Sequence, residues 1–265
     1  MTQSCDIRGS MVLLGTGTSV GVPCIGCSCA VCTGGHPRNQ RTRSSAILGL
    51  PQGNLLIDTP PELRMQLLRE QIGLVHAVLY THEHADHLHG LDDVRLFPFM
   101  LGHPIPIYAT QIVEGRIRKI FDYAFSDRQE THPGAVPKMQ LQRIDEQPLE
   151  ILGATLTPIP LIHGPHCRVF GYRIGNVAYC TDTNCIEPSS KELLRGLDVL
   201  VLDALRLSPH PTHFSVGEAL DIIEELGPKQ AYLTHLSHEL DYTSFWRELP
   251  EHVALAYDGL RIPLT

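Results

Sequence analysis

The stretch Tyr80-Thr81-His82-Glu83-His84-Ala85-Asp86-His87 decides the fold, and it directly follows an apolar run at 75–80. Three histidines and an aspartate within six positions are metal-ligand residue types, and no ordinary packing requirement explains them. Alternate side chains of an extended backbone point the same way, so His82, His84 and Asp86 converge while His87 reaches a neighbouring point. One loop can therefore serve two adjacent metal ions. The alternative, a solvated histidine-rich loop, is disfavoured by this spacing.

Length, composition and charge limit the classes of protein that fit. A chain of 265 residues with 43% hydrophobic content can bury a full two-sheet core, so we expect one domain over residues 1–265. A net charge of −8 gives no general attraction to phosphate backbones and disfavours a nucleic-acid partner. No apolar stretch approaches ~18 residues, and the run at 11–14 is too short for a signal-peptide core. We therefore expect a cytoplasmic protein that does not enter a membrane.

Four of the eight cysteines, Cys24, Cys27, Cys29 and Cys32, are clustered. In an intracellular chain of this size such a cluster binds metal more often than it forms disulfides. Three thiols at C-x-C-x-x-C spacing can converge on one tetrahedral Zn if a fourth ligand comes from elsewhere in the chain. Because Cys24 also forms a C-x-x-C pair with Cys27, spacing alone leaves its participation open. Reactive or incidental cysteines are the alternative.

Apolar periodicity predicts the elements around these motifs. Strands are expected at 11–14, 46–50, 54–57, 75–80, 105–109, 177–181, 197–203 and 230–234, with a pair of strands within 149–162. Helices are expected at 60–72, 91–101, 110–123 and 216–226. Ser215 is the predicted N-cap of the last helix, with Glu218 three residues later. Residues 127–137 are expected to form a loop near the active-site mouth, with no predicted role.

Two further segments are less informative. The glycine-rich loop 15–21 lets the backbone turn and approach other groups closely, but no Gly-Lys-Ser/Thr follows it, so it is not a P-loop. Arg38, Arg41 and Arg43 occur without intervening acids. This pattern favours a solvated loop over a phosphate-facing strip.

His82-x-His84-x-Asp86-His87 resembles the signature of the metallo-β-lactamase fold hydrolases. The resemblance implies an α/β fold, an αββα sandwich of two mixed β-sheets flanked by helices, with metal ions at one edge of the sheets. It also implies that Asp58 supports the histidine loop without binding metal, and that His166 is a weaker candidate than His163. The implied ligands of the two divalent ions are His82, His84 and His163 for one, Asp86, His87 and His235 for the other, and Asp182 as the bridge.

The cysteine cluster after a Gly-Thr-Gly-Thr loop is similar to the PhnP-like branch of that superfamily, the cyclic-phosphate phosphodiesterases. This resemblance selects Cys27, Cys29 and Cys32 as ligands of a structural Zn. His238, in the run Thr234-His235-Leu236-Ser237-His238, would complete the set. Two metal sites would then share one short loop.

The resemblance implies a metal-dependent phosphodiesterase acting on a small, cyclic phosphodiester. Mixed His and Asp ligands suit Zn and Mn, and two such ions would turn a bridging water into a hydroxide that attacks phosphorus. His213 resembles the histidine that superfamily phosphodiesterases place near the leaving group, with His210 as the fallback. His213 and Asp86 are therefore the expected catalytic residues. A homodimer is compatible with the sequence.

Three alternatives stay open. A PqqB-like protein of cofactor biosynthesis also carries a C-x-C-x-x-C cluster. A ribonuclease Z-like nuclease would share the active-site residues but should have a basic, Gly-rich arm for tRNA, which the sequence lacks. A non-catalytic metal-binding scaffold would normally have lost one or two ligands, whereas every ligand position is filled here.

Overall fold

The computed structural model describes residues 5–126, 131–132 and 134–264. Of the loop expected at 127–137, residues 127–130 and 133 lie outside the described residues. The strands are, in chain order, β1 (Ser10–Gly15), β2 (Ser45–Leu50), β3 (Gly53–Ile57), β4 (Ala77–Leu79), β5 (Ile105–Ala109), β6 (Met139–Arg143), β7 (Leu149–Ile151), β8 (Ala154–His163), β9 (Cys167–Ile174), β10 (Val177–Cys180), β11 (Val199–Asp203), β12 (Gln230–Thr234), β13 (Val253–Leu255) and β14 (Leu260–Pro263).

These strands form two mixed seven-stranded sheets. The order in the first sheet is β14-β1-β2-β3-β4-β5-β6, with β3 to β6 parallel. In the second it is β13-β12-β11-β10-β9-β8-β7, with β10 to β13 parallel. The chain thus builds six strands of the first sheet, then the whole second sheet, and returns with β14 to pair with β1. Because parallel strands end at the same edge of a sheet, the loops after them gather there.

The two sheets pack face to face, and side chains of β1 illustrate why. Met11 and Leu13 belong to the buried cluster between the sheets, together with residues of the second sheet such as Tyr179. Val12 and Leu14 point the other way into a cluster under the outer helices. Both faces of the strand are therefore buried, which explains why its sequence reads as a continuous apolar run instead of an alternating one.

Helices cover the outer face of each sheet, so the predicted αββα layering is confirmed. They are α1 (Ala30–Thr33), α2 (Leu63–Arg69), α3 (Ala85–Leu88), α4 (Phe97–Leu101), α5 (Gln111–Ile120), α6 (Pro188–Leu193), α7 (Val216–Leu226) and α8 (Tyr242–Phe245). Helices α2 and α5 contribute buried side chains to the cluster on the first sheet, and α7 to the cluster on the second. None of the helices in the described ranges combines the length and apolar character needed to span a membrane.

The helix bounds differ from the sequence prediction in three places. Helix α2 is shorter than 60–72 because Gln71 takes a left-handed backbone with φ 56°. The helix expected at 91–101 is a 3-10 helix, Leu91–Leu96, followed by α4, because Pro98 has no N–H to continue one helical ladder. Helix α5 ends at Ile120, before a short 3-10 turn. Helix α7 begins and ends as predicted, with the Ser215–Glu218 capping box formed.

Candidate metal centre

The histidine loop, residues 81–87, lies at the carboxyl end of β4 and runs into α3. His84 has an extended backbone (φ −67°, ψ 153°) and starts that helix, so Asp86 and His87 fall in its first turn. The amide of Thr59 donates to the carbonyl of His87 at 2.7 Å, and a Cβ on Gly90 would lie 2.0 Å from the Pro60 carbonyl oxygen. Close backbone packing against the segment after β3 therefore fixes the direction in which the loop presents its ligands.

Three residues at strand ends on this edge hold a left-handed backbone although none is glycine. Asp58 follows β3 with φ 62°, Asp182 lies just after β10 with φ 56°, and His235 follows β12 with φ 59°. Such conformations cost about 1–3 kcal/mol each and persist only where the surrounding structure enforces them. All three side chains point into one polar cluster, which identifies the edge as the functional one.

The first group of potential ligands contains His82, His84 and His163, whose ligand atoms lie within 4.8 Å of one another. His82 Nε2 lies 2.9 Å from His84 Nδ1. His82 and His163 are 1% and 5% exposed, whereas His84 is exposed. His163 comes from the end of β8, so this group joins ligands from both sheets.

The second group contains Asp86, His87, Asp182 and His235, again with ligand atoms within 4.8 Å. The carboxylate of Asp182 lies centrally: its Oδ1 is 3.2 Å from His87 Nε2, and its Oδ2 is 3.3 Å from His235 Nε2. The same Oδ2 is 3.9 Å from His82 Nε2 of the first group. Asp182 therefore faces both groups, as expected of the bridging carboxylate that the resemblance to the metallo-β-lactamase fold hydrolases implies.

Hydrogen bonds behind the ligands fix which ring nitrogen faces the cluster. Asp58 accepts from the Thr81 hydroxyl and from His87 Nδ1, both at 2.7 Å. Because the Thr81 hydroxyl donates to Asp58, it accepts from His82 Nδ1 at 2.9 Å. His163 Nδ1 donates to the Thr212 carbonyl at 2.7 Å. In all three imidazoles Nε2 is left to face the cluster, as metal-binding histidines require.

The charges of the cluster are strongly coupled. Burial opposes charge on His87 and His235, but the carboxylates of Asp182 and Asp86 outweigh it, raising the pKa of His87 well above its ordinary value and that of His235 to about 9. Although burial opposes charge on Asp182 too, His235 and His87 hold its pKa well below the ordinary range. Burial lowers the pKa of His82 and His163. The protein alone thus neutralises its buried carboxylates with protonated histidines.

The residues of both groups fit divalent metal ions. His87 Nε2 and both ring nitrogens of His235 are buried without a hydrogen-bond partner among the described residues. Unpartnered buried nitrogens beside carboxylates are costly in a protein alone and are satisfied by a cation. Imidazole nitrogen mixed with carboxylate oxygen is a donor set that suits Zn and Mn.

His213 lies at the rim of both groups. Its ring centroid is 4.6 Å from that of His163 and 4.5 Å from that of His235. Its Nδ1 donates to Asp203 Oδ2 at 2.7 Å, and the amide of Thr183 donates to the same oxygen. Asp203 is fully buried at the end of β11. Sequence analysis did not single it out, although it ends an apolar strand just as Asp58 does.

A separate cluster contains Cys27, Cys29, Cys32 and His238. The sulfur atoms of Cys27 and Cys29 each lie 3.3 Å from His238 Nδ1, close to the ~3.5 Å S–N edge that tetrahedral Zn bond lengths imply. The hydrogen bond from His238 lowers the pKa of the Cys29 thiol to about 6. Cys24 is outside this group; its thiol donates to the Gly21 carbonyl, while its amide donates to Cys32 Sγ.

The arginine segment is only partly the solvated loop expected, because Arg38 is exposed whereas Arg41 and Arg43 are not. Arg41 is 1% exposed and donates to the carbonyls of Ser237 and Leu240 at 2.8 and 2.6 Å. Arg43 is half-buried in an ion pair with Glu62. Because two backbone carbonyls accept from the terminal nitrogens of Arg41, this side chain is buried although no acidic residue is near it in the sequence. Arg41 instead holds the loop that carries His235 and His238.

The glycine-rich loop also supports that segment. A Cβ on Gly15 would lie 1.9 Å from the Arg43 carbonyl oxygen, and one on Gly17 2.6 Å from that of Arg41. Backbone hydrogen bonds of 2.8 and 3.2 Å tie the same loop to Leu236, between the two histidines. The glycines therefore allow close backbone approach between three segments, which explains the motif without a nucleotide.

Comparison with known proteins gives consistent results. Residues 53–236 match the family model described as a beta-lactamase superfamily domain. The crystal structure of a diphosphatase from the PhnP family is 41% identical, with a TM-score of 0.90, and the match covers 97% of this chain and 98% of that one.

Two curated proteins are also similar. An octanoyltransferase of Porphyromonas gingivalis is 36% identical over 253 residues, which are 94% of this chain and 50% of that protein. Coenzyme PQQ synthesis protein B of Methylorubrum populi is 30% identical over 168 residues, covering 57% of this chain and 52% of that protein. The chain spans about half the length of the curated relatives it matches.

Proposed function

The chain belongs to the beta-lactamase superfamily and, within it, to the PhnP family, and on this premise we propose that it hydrolyses a small phosphodiester, with a cyclic phosphodiester as the first candidate. The observation that carries the proposal is the pairing of His213 with Asp203 at the rim of both ligand groups. The proposed cofactors are two divalent ions, Zn or Mn, and one structural Zn.

The proposed metal ligands come from both sheets. When bound, two divalent cations lower the pKa of a water molecule and neutralise charge on phosphoryl oxygens. The histidine loop would provide one set of ligands from the first sheet, and His163, Asp182 and His235 would complete the site from the second. Asp86 would bind the second ion, and this is its proposed catalytic role. Cys27, Cys29, Cys32 and His238 would hold the structural Zn.

His213 is the proposed general acid. Its Nδ1–H donates to Asp203, so the ring is held in one orientation and its Nε2 is the nitrogen that can carry a proton to the departing oxygen. Burial of the pair, with His213 6% exposed, keeps bulk water from replacing that contact. A positioned general acid contributes about 10²–10⁴ in rate.

A second candidate function is hydrolysis of a diphosphate bond. The 41%-identical protein of the PhnP family is described as a diphosphatase, and it matches nearly the whole of both chains. The reaction would use the same residues but cleave P–O–P instead of P–O–C. The octanoyltransferase and PqqB relatives support other activities less well, since each matches over only about half of its own length.

The test is turnover of a substrate panel by protein loaded with Zn or Mn. The panel holds ribose cyclic phosphates, 2′,3′-cyclic nucleotides, bis(p-nitrophenyl) phosphate, a nucleoside diphosphate and inorganic diphosphate. We expect phosphodiester turnover that falls about 100-fold or more in His213→Ala. His252→Ala is the control, because His252 is an exposed histidine outside the ligand groups. Turnover of the diphosphates alone would favour the second candidate function. No turnover of any substrate by protein with metals bound would rule out both candidate functions.

A further inference from the structure

A second histidine lies just outside His213. The ring centroids of His210 and His213 are 5.3 Å apart and the planes are tilted by 42°. His213 in turn contacts the rings of His163 and His235 in the ligand groups. The order outward from the proposed metal ligands is therefore His163 and His235, then His213, then the half-buried His210.

The hydrogen bonds of His210 define where its proton is. The Thr212 amide points at His210 Nδ1, 3.4 Å away, and the Thr212 hydroxyl lies 3.2 Å from the same atom. A backbone N–H can only donate, so Nδ1 carries a lone pair and the single ring proton resides on Nε2. Burial and the neighbouring His213 lower the pKa of His210, which favours this same neutral form. His210 thus offers an uncharged N–H donor.

The segment 209–213 that carries both histidines is anchored to the site. Asn184 donates to the Pro211 carbonyl at 3.0 Å and accepts from the Gly164 amide at 2.8 Å, next to His163. A Cβ on Gly164 would lie 2.6 Å from Thr212 Cγ2. The position of His210 is therefore set by the same contacts that set His163, so it is a fixed part of the site.

We propose that His210 is a specificity-determining residue, whose Nε2–H donates a hydrogen bond to an oxygen of the leaving group of the substrate. The inference rests on the proposed function, because it takes His213 as the group that protonates the departing oxygen. Because His210 is the next ring in contact with His213, it is placed to meet the part of the leaving group beyond that oxygen.

The donor points to the chemical class of the leaving group. The guanidinium of Arg206, the neighbouring cation, donates to the carbonyls of Ser208 and Pro209 and so holds its own loop. A neutral imidazole N–H suits an uncharged oxygen acceptor, whereas an anionic leaving group gains more from a charged donor. We therefore expect a polyol or sugar leaving group, with oxygens beside the scissile bond, to be preferred over one without them.

The experiment compares two substrates in three variants. 2′,3′-cyclic AMP has ribose oxygens beside the scissile bond, whereas bis(p-nitrophenyl) phosphate releases a phenolate without a neighbouring acceptor. In His210→Ala we expect kcat/KM for the cyclic nucleotide to fall about 5–10-fold, the effect of one lost hydrogen bond between uncharged groups, and less than about twofold for the aryl ester. His210→Gln should recover most of the loss, because its amide can both accept from Thr212 and donate. His252→Ala should match wild type, because His252 is exposed and lies outside the ligand groups.

Each outcome decides the inference. An equal loss with both substrates would mean that His210 only supports the loop, and no loss would mean that it makes no contact; either overturns the inference. Wild-type protein that turns over no phosphodiester refutes the proposed function instead, and ribose 5-phosphate is then titrated into the metal-loaded proteins. Binding about tenfold weaker in His210→Ala and recovered in His210→Gln would support the contact without the reaction. Equal binding, or none in wild type, would overturn it.

Discussion

His87 and His235 must change protonation when metal binds. In the metal-free protein Asp182 and Asp86 outweigh burial and keep both imidazoles protonated at neutral pH, with the pKa of His235 at about 9. A metal ligand must present a lone pair, so each nitrogen has to lose its proton first. The buried carboxylates that attract the metal are thus the same groups that make protons compete with it.

We predict that loading the proposed dinuclear site near pH 7.5 releases about two protons from His87 and His235, and about one more from the water molecule whose pKa the two ions would lower. Isothermal titration of Zn or Mn into metal-free protein, in buffers of different ionisation enthalpy, measures this number. Affinity should rise with pH until about 9. The raised pKa of His235 also stabilises the metal-free fold below about 6.5, and this contribution is lost as pH rises through about 9. A pH-independent affinity would contradict the protonation states inferred here.

Asp203 is the residue on which the orientation of His213 depends. Its Oδ2 accepts from both His213 Nδ1 and the Thr183 amide. We predict that Asp203→Asn lowers kcat by about 100-fold or more with little change in metal content, because an amide can present its NH₂ to His213 Nδ1 and favour the wrong tautomer. Asp198→Asn is the control, since Asp198 pairs with the exposed Lys229 and lies outside the ligand groups. An unchanged kcat in Asp203→Asn would remove Asp203 from the mechanism.

The site residues differ in how far the sequence could predict them. The ligand candidates were readable because metal-ligand residue types recur directly after apolar strands, as with His82 and Asp182. Asp203 carries the same signal and was missed, because a lone aspartate at a strand end is also an ordinary turn residue. Arg41 carried no signal at all, since its burial depends on carbonyls nearly 200 positions away.

At the level of elements, the sequence predicted the helices and strands whose bounds depend on residues nearby in the chain. Both ends of helix α7 were predicted correctly, and its start is marked in the sequence by the capping-box residues Ser215 and Glu218. Strands β6, β9, β13 and β14 were missed. Strand β14 exists only because it pairs with β1 across almost the whole chain, and such pairing leaves no local trace. The predicted helix ends were wrong near Gln71, which has a left-handed backbone, and near Pro98, which lacks an N–H.

The loop 235–238 connects the two proposed metal sites, with two residues between His235 and His238. We predict that His238→Ala loses the structural Zn, measured by metal analysis, and lowers Tm by about 5–10 °C, since such sites contribute directly to folding. The exposed His252 provides the control His252→Ala. Weaker metal binding at His235 should accompany the loss, because Leu236 and Ser237 hold both histidines in place. Full Zn content in His238→Ala would rule out His238 as a ligand.

The same cluster should respond to acid. Hydrogen bonding to His238 lowers the pKa of the Cys29 thiol to about 6, so the thiolate is present at neutral pH. Its contribution is fully present above the ordinary thiol pKa and lost as pH falls through about 6. In the metal-free protein we expect alkylation of the Cys29 thiol to slow as pH falls through about 6, followed with a thiol-reactive dye. In metal-free His238→Gln this loss of reactivity should move to higher pH, because the Cys29 thiolate loses its hydrogen bond, and an unchanged pH profile would contradict this account.

At the scale of the whole molecule, the ligands of the proposed dinuclear site come together where the two sheets meet. The histidine loop comes from the first sheet, whereas His163, Asp182 and His235 come from the second. Contacts next to the histidine loop join the sheets: the Tyr172 hydroxyl of β9 donates to the Tyr80 carbonyl at 2.6 Å, and the Phe170 amide donates to the Thr81 carbonyl at 3.1 Å. Packing between the sheets therefore sets the spacing of the ligands. The single domain over residues 1–265 and the homodimer stay predictions.

This dependence makes Tyr172 a test of the architecture, with Tyr179 as its matched control. Both are fully buried tyrosines between the sheets, but the Tyr179 hydroxyl has no hydrogen-bond partner within the described part of the chain. Tyr172→Phe leaves the Tyr80 carbonyl unpaired, so we predict a loss of about 1–3 kcal/mol in the free energy of unfolding. This is measured by urea denaturation of the metal-free protein in the presence of a chelator. Tyr179→Phe should stay within about 0.5 kcal/mol of wild type or be slightly more stable. If sheet packing sets the ligand spacing, Tyr172→Phe alone also weakens metal binding; equal effects of the two variants would mean that the bridge to Tyr80 does not position the histidine loop.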